Sequence, residues 1–193
     1  KNSLIYSFLK IFSLFLFFIP RKISIFFGKL LGSFLFNFFP VEKKVIDVNI
    51  SIAFPDLSKN EKRTLIHKIY QHYSIVLFDF FKQKSFIIND SLYYLDKESK
   101  SILEQDNNFI IMTAHIGNWE LFLPIISSTR KITAIVKEQK NKGANQFIIY
   151  NRSYKNVSLV SNKDSIRKML VPLMNNELLL IVNDQNPRHS GTE

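Results

Sequence analysis

The chain of 193 residues is long enough to bury one core, and at 46% hydrophobic content it is excluded from the disordered class. Its formal charge of +10 rests on 20 Lys against 6 Arg, beside abundant Asn, Ile and Phe; that skew fits an AT-rich coding bias as well as an anionic partner. It contains no Cys, which excludes disulfides, Cys-based zinc sites and thiol nucleophiles.

Of the 19 Phe, 11 lie between Phe8 and Phe39, and the first 41 residues hold no Asp or Glu. Leu4 to Ile19 is an apolar run broken only by Lys10, and it stops at Pro20-Arg21-Lys22. Ile23 to Phe39 is a second run with Lys29 inside it, closed by Pro40. As a helix either run reaches roughly 25 Å, against a hydrocarbon core of ~30 Å. Leu4–Ile19 therefore reads as one membrane span with its polar ends at the interface and Lys10 snorkelling. The second run reads as a helix lying in or against the membrane. The cations Arg21, Lys22, Lys29, Lys43 and Lys44 that follow the first run predict a cytoplasmic location for the rest. Pro20-Arg21-Lys22 lacks the small residues of a signal-peptide cleavage site, and the absence of a polar face argues against a buried hairpin. Gly28 and Gly32 form a GxxxG pair, too common a pattern to specify a dimer. The compositional break predicts an anchor over residues 1–40 and a catalytic domain over 41–193.

After Pro40, Val45–Phe54 mixes charged and apolar residues, and Pro55-Asp56 reads as a turn. Ser58-Lys59-Asn60-Glu61 has the form of a capping box. Leu65, Ile69, His72 and Val76, with Ile66, Tyr73, Leu77 and Phe80, then recur at helical spacing to about Lys84. His67 falls on the polar side and His72 on the apolar side. Neither has further ligands at metal-binding spacing. Phe109–Thr113, Ile132–Val136, Val157–Val160 and Leu178–Val182 read as buried strands. Trp119–Ile126, Gly143–Tyr150 and Asp164–Met174 read as helices between them. The alternation predicts an α/β fold, a mainly parallel or mixed sheet flanked by helices.

The segment FIIMTAHIGNWEL, Phe109 to Leu121, concentrates the chemistry. A strand ending near Ala114 puts His115 where ligands bind open α/β sheets, beyond the strand's carboxyl end. Gly117-Asn118 makes a turn, and Asn118 can cap the helix that starts near Trp119. Glu120 lies five residues on, and a strand–turn–helix break can return it to the imidazole. A carboxylate there fixes the tautomer of a base that takes a proton from an alcohol attacking a thioester. On spacing alone, the pair does not distinguish that base from a histidine packed at a strand end. Lys137, Lys140 and Lys142 form a basic cluster, readable as a solvated face or as a dock for an acidic protein or anionic headgroups. Nucleic acid is not expected as a partner. The charge comes without a recognition motif, and the aromatics sit in the apolar segment.

HIGNWE resembles the H-x-x-x-x-[D/E] motif of the glycerolipid acyltransferase superfamily. The chain as a whole is similar to the late acyltransferases of lipid A biosynthesis, the lauroyl/myristoyl transferases. FFGKLLGSFLF, VNISIAFPDLSKNEKRTLI, Asn151-Arg152 and NDQNPR (Asn183 to Arg188) follow that family's order and spacing. The resemblance implies fatty acyl transfer from acyl carrier protein to a hydroxyl of a lipid A precursor at the inner membrane, without metal or cofactor. Carried over by position, it makes His115 the general base and Glu120 its charge partner. It gives Arg152 to an anionic group of a substrate, Asp184 to an orienting role, and Asn118 and Lys137 to the substrate side. Family members continue past the Asp-Gln motif, so the resemblance also predicts a sheet incomplete at the carboxyl end. Acylation of another phospholipid or glycolipid, and a truncated non-catalytic member, stand as alternatives.

Overall fold

The computed structural model describes residues 2–86 and 93–184. The chain folds as two compact units, residues 13–82 forming one, and residues 1–12 together with 83–193 forming the other. The compositional boundary at Pro40 thus falls inside the first of these units.

Three helices open the chain: α1 (Asn2–Phe18), α2 (Arg21–Phe38) and α3 (Lys43–Ala53). The long α4 (Lys59–Phe86) follows, starting from the predicted capping box. The Ser58 N–H donates to Glu61 Oε2 at 2.8 Å, and the Glu61 N–H donates to Ser58 Oγ at 3.4 Å. Within unit 13–82, α2 buries only Ser24, Gly28 and Gly32. A Cβ on Gly32 would stand 2.5 Å from Gln71 Cα, and one on Gly28 would stand 3.0 Å from Ile75 Cα, so the glycines let α2 lie directly on α4. His67 stacks on Phe36, with ring centroids 4.9 Å apart, and its Nε2 lies 2.9 Å from Ser33 Oγ. Ile66 and Val76 of the expected inner face are buried, but the two histidines differ from expectation: His67 is packed and His72 is exposed. Among the described residues no group of His, Asp and Glu could hold a metal ion.

No single helix among the described residues is long and apolar enough to cross a membrane. The span expected over Leu4–Ile19 is therefore not supported. Helix α1 has 17 residues, roughly 25 Å, and Pro20 stops it. One side of its first turns makes protein contacts, while Leu4 and Phe8 stay exposed. Lys10 Nζ stands 4.8 Å from the centre of the Tyr150 ring, and Tyr6 packs edge-on to the same ring. A Cβ on Gly143 would collide with the Asn2 carbonyl. Helices α2 and α3 together have the length and apolar content, but they meet at a bend of 100°.

The second unit holds the sheet. After α5 (Lys97–Glu104), capped by Asp96, come β1 (Ile110–Thr113), α6 (Phe122–Ser127), β2 (Ile132–Val136), α7 (Lys142–Arg152), β3 (Val157–Ser161), α8 (Ile166–Met174) and β4 (Leu178–Val182). All pairings are parallel, in the order β1-β4-β2-β3. The predicted α/β class is therefore found, as a parallel sheet of four strands flanked by helices. Ile132 and Ala134 of β2 join Leu178 and Leu180 of β4 in one core, with Leu123 and Ile126 of α6. Leu179 and Thr133, pointing the other way, are buried too. Burial on both faces is why these strands read as unbroken apolar runs rather than alternating ones. α5 was not foreseen, since KESKSILE is polar and short.

Candidate active site

The sheet order brings the two motif segments together. β1 and β4 are neighbours in register, with Thr113 opposite Val182. Two residues further along each strand stand His115 and Asp184. The Asn183 N–H donates to the Thr113 carbonyl at 3.2 Å, carrying the pairing past the end of the strands. Asp184 then binds His115 twice. Its Oδ2 accepts the His115 backbone N–H at 2.9 Å, and its Oδ1 lies 2.7 Å from the ring Nδ1. A carboxylate can only accept, so Nδ1 carries a proton, and in the neutral ring the lone pair is then on Nε2. These two hydrogen bonds from His115 hold the Asp184 carboxyl below the usual carboxylate range.

The segment after His115 is set by Gly117, whose φ of +59° is a left-handed conformation that glycine adopts without strain. Trp119–Leu121 then forms one 3₁₀ turn leading into α6. Asn118 stands at the start of that turn, but its side chain makes no cap hydrogen bond, so the predicted capping role is corrected here. Trp119 packs edge-on to the His115 imidazole, with centroids 5.0 Å apart.

Glu120 was expected beside His115. Its carboxylate is bound by Arg152 at the last turn of α7: Arg152 Nη2 to Glu120 Oε1 is 2.6 Å, and Nε to Oε2 is 3.2 Å. This is a bidentate pair with both side chains largely buried. The reason lies in the turn. Residue 120 lies within the 3₁₀ turn and pairs with α7, while the register of β1 and β4 delivers Asp184 to the ring. Tyr154 lies close enough for the Glu120 charge to act on it. Burial first, and that charge second, push its hydroxyl well above the ordinary tyrosine range. Its Oη is buried without a hydrogen-bond partner among the described residues. No sequence signal marks Tyr154.

Lys137 is exposed beyond the end of β2. Beside it runs a polar groove of about 480 Å³, lined by Glu138, Lys140, Lys142, Asn145 and Lys163 among others. Neither His115 nor Asp184 lines this groove. The remainder of the NDQNPR motif, including Arg188, together with His189, lies outside the described residues.

Comparison with protein families matches the chain, over residues 2–193, to the bacterial lipid A biosynthesis acyltransferases. No curated protein matches it significantly.

Proposed function

Because the chain belongs to the bacterial lipid A biosynthesis acyltransferase family, we propose that it transfers a fatty acyl group from the thioester of acyl carrier protein to a hydroxyl of a lipid A precursor, with His115 as general base. The observation that carries this reading is the His115–Asp184 pair beyond the carboxyl ends of two adjacent parallel strands. With Nδ1 occupied, Nε2 takes the proton of the acceptor hydroxyl as its oxygen attacks the thioester carbonyl. The C–O bond of the ester forms, the C–S bond breaks, and the imidazolium returns the proton to the departing thiolate. Asp184 stabilises that imidazolium without itself taking the proton.

In this reading Asp184, rather than Glu120, is the carboxylate that orients the base. Glu120 and Arg152 form a positioning pair that fixes the 3₁₀ turn behind His115. Lys137 and the cations of the neighbouring groove offer charge to an acidic carrier protein. The reaction would take place at the cytoplasmic face of the inner membrane.

The test is mass spectrometry of an under-acylated lipid A precursor incubated with acyl carrier protein thioester and the protein. A gain of one acyl chain is expected. It should fall by about 10²–10⁴-fold in His115→Ala, with the circular dichroism spectrum unchanged. Undiminished transfer by that variant would remove His115 from its role.

A further inference from the structure

The carboxyl ends of the strands open a second place for a ligand. β2 leads through α7 to β3 at the edge of the sheet, and β3 leads back through α8, past β2, to β4. Two right-handed crossovers of opposite direction place their helices on opposite faces of a sheet. The packing agrees. α6, on the forward crossover from β1 to β2, sets Leu123 and Ile126 on Ile132, Ala134, Leu178 and Leu180. Among the described residues, α8 on the return crossover adds nothing to that cluster. The chain leaving β2 and the chain leaving β3 therefore part. The crevice between such parting connections is where open α/β sheets take their ligands.

The groove of about 480 Å³ lies in that crevice. Gln139 and Lys140 line it from the segment after β2, Lys142 and Asn145 from α7, and Lys163 from the segment after β3. Its walls are tied to one another. The Gln139 N–H donates to Asn145 Oδ1 at 2.8 Å, and the Asn162 N–H donates to the Val136 carbonyl at 2.9 Å. The Glu138 carboxylate in the lining is already paired, with Lys163 Nζ 3.1 Å from its Oε2. Lys140 and Lys142 make no ion pair among the described residues. Two uncompensated cations in one polar groove suit a dianion such as a phosphate monoester or the phosphate of a diester arm.

Its place along the sheet selects among phosphates. Neighbouring strands stand ~4.8 Å apart. His115 leaves β1, which is two strands from β2 and three from β3, so the groove lies roughly 10–14 Å from the base. A carrier-bound acyl group hangs as a thioester at the tip of a phosphopantetheine arm, whose phosphate is at the other end. The extended arm is long enough to bridge that distance. Resting on the acyl-transfer reading given above, we propose that Lys140 and Lys142, in the crevice between β2 and β3, bind the phosphate of the donor's phosphopantetheine arm and so hold its thioester at His115. No bond forms or breaks in the groove. Both lysines are positioning residues.

The experiment is calorimetric titration of the purified full chain with 4′-phosphopantetheine and with pantetheine, neither carrying an acyl group or a carrier protein. The phosphorylated arm should bind about tenfold more tightly, the difference made by one charge-assisted contact. Lys140→Gln with Lys142→Gln should erase that preference with the circular dichroism spectrum unchanged. Lys155→Gln, an exposed lysine ahead of β3 and outside the groove, should keep it. His115→Ala should keep it too, so loss of acyl transfer and loss of this site are read separately. In turnover with acyl-phosphopantetheine, the double variant should raise the KM for the donor about tenfold and leave the KM for the acceptor as it was. Equal binding of the two arms by the wild type would overturn the proposal. So would a preference lost equally in Lys155→Gln, which makes it an effect of net charge, or a KM that rises for the acceptor instead, which gives the groove to a phosphate of the acceptor.

Discussion

Asp184→Asn separates the two carboxylates that compete for the role of orienting His115. Asp184 makes two hydrogen bonds to that residue, at 2.9 Å to the backbone N–H and 2.7 Å to Nδ1. The first exists equally before and during reaction, so its loss lowers stability and leaves the barrier alone. The second strengthens as the ring becomes an imidazolium. A hydrogen bond to a charged partner is worth about 1.5–3 kcal/mol. Losing that much in the transition state alone slows turnover about 10- to 150-fold. The amide can also present its NH₂ group to the ring, which favours the wrong tautomer and pushes the loss toward the upper end. The assay is single-turnover acyl transfer followed by mass spectrometry, with Glu120→Gln run alongside and both variants checked for folding. A kcat for Asp184→Asn within about twofold of wild type would refute the argument. A larger loss in Glu120→Gln at equal stability would return the orienting role to Glu120.

Arg152→Ala leaves the largely buried Glu120 carboxylate without its bidentate partner and should cost about 2–3 kcal/mol in urea denaturation, against about 1 kcal/mol for Arg152→Lys. Tyr154→Phe removes a buried hydroxyl with no hydrogen-bond partner among the described residues, so stability should hold or rise by about 1 kcal/mol; a fall would show that the hydroxyl is bonded in solution. Because Asp184 is held below its ordinary range, its stabilisation is complete above about pH 4 and is lost as pH falls through the lowered folded value. The melting difference between wild type and Asp184→Asn should therefore persist at neutral pH and vanish on acidification. Gly32→Ala places a Cβ against the α4 backbone and should destabilise by about 2–3 kcal/mol, whereas the exposed Phe26→Ala should change stability in detergent by no more than about 0.5 kcal/mol.

The strands were legible because burial on both faces leaves an unmistakable mark. Ile132–Val136 and Leu178–Val182 were placed to the residue, and the capping box located the start of α4. The pairing within the site was not legible, for a reason of topology. Sequence separation favours Glu120 as the partner of His115, five residues away, over Asp184, 69 residues away. Only the insertion of β4 between β1 and β2 makes Asp184 the neighbour. A parallel sheet aligns the ends of strands distant in sequence, and hydrophobic runs carry no information about strand order.

The helices failed differently, and the failure is informative. Sequence periodicity assumes that apolar residues face the protein. In α4 Ile66 and Val76 of the predicted inner face are buried, yet Tyr73 and Leu77 of the same face are exposed while Ser74 and Asp79 are buried. The apolar run Leu4–Ile19 was equated with crossing a membrane, yet no single described helix is long and apolar enough to cross one. What decides the matter is which side chains the neighbouring helix receives. Where it receives glycine, serine and an ion pair, the phenylalanines are left for the surroundings. A helix can therefore look like a membrane span in sequence and still give one side to its neighbours, as α2 does with Ser24, Gly28 and Gly32.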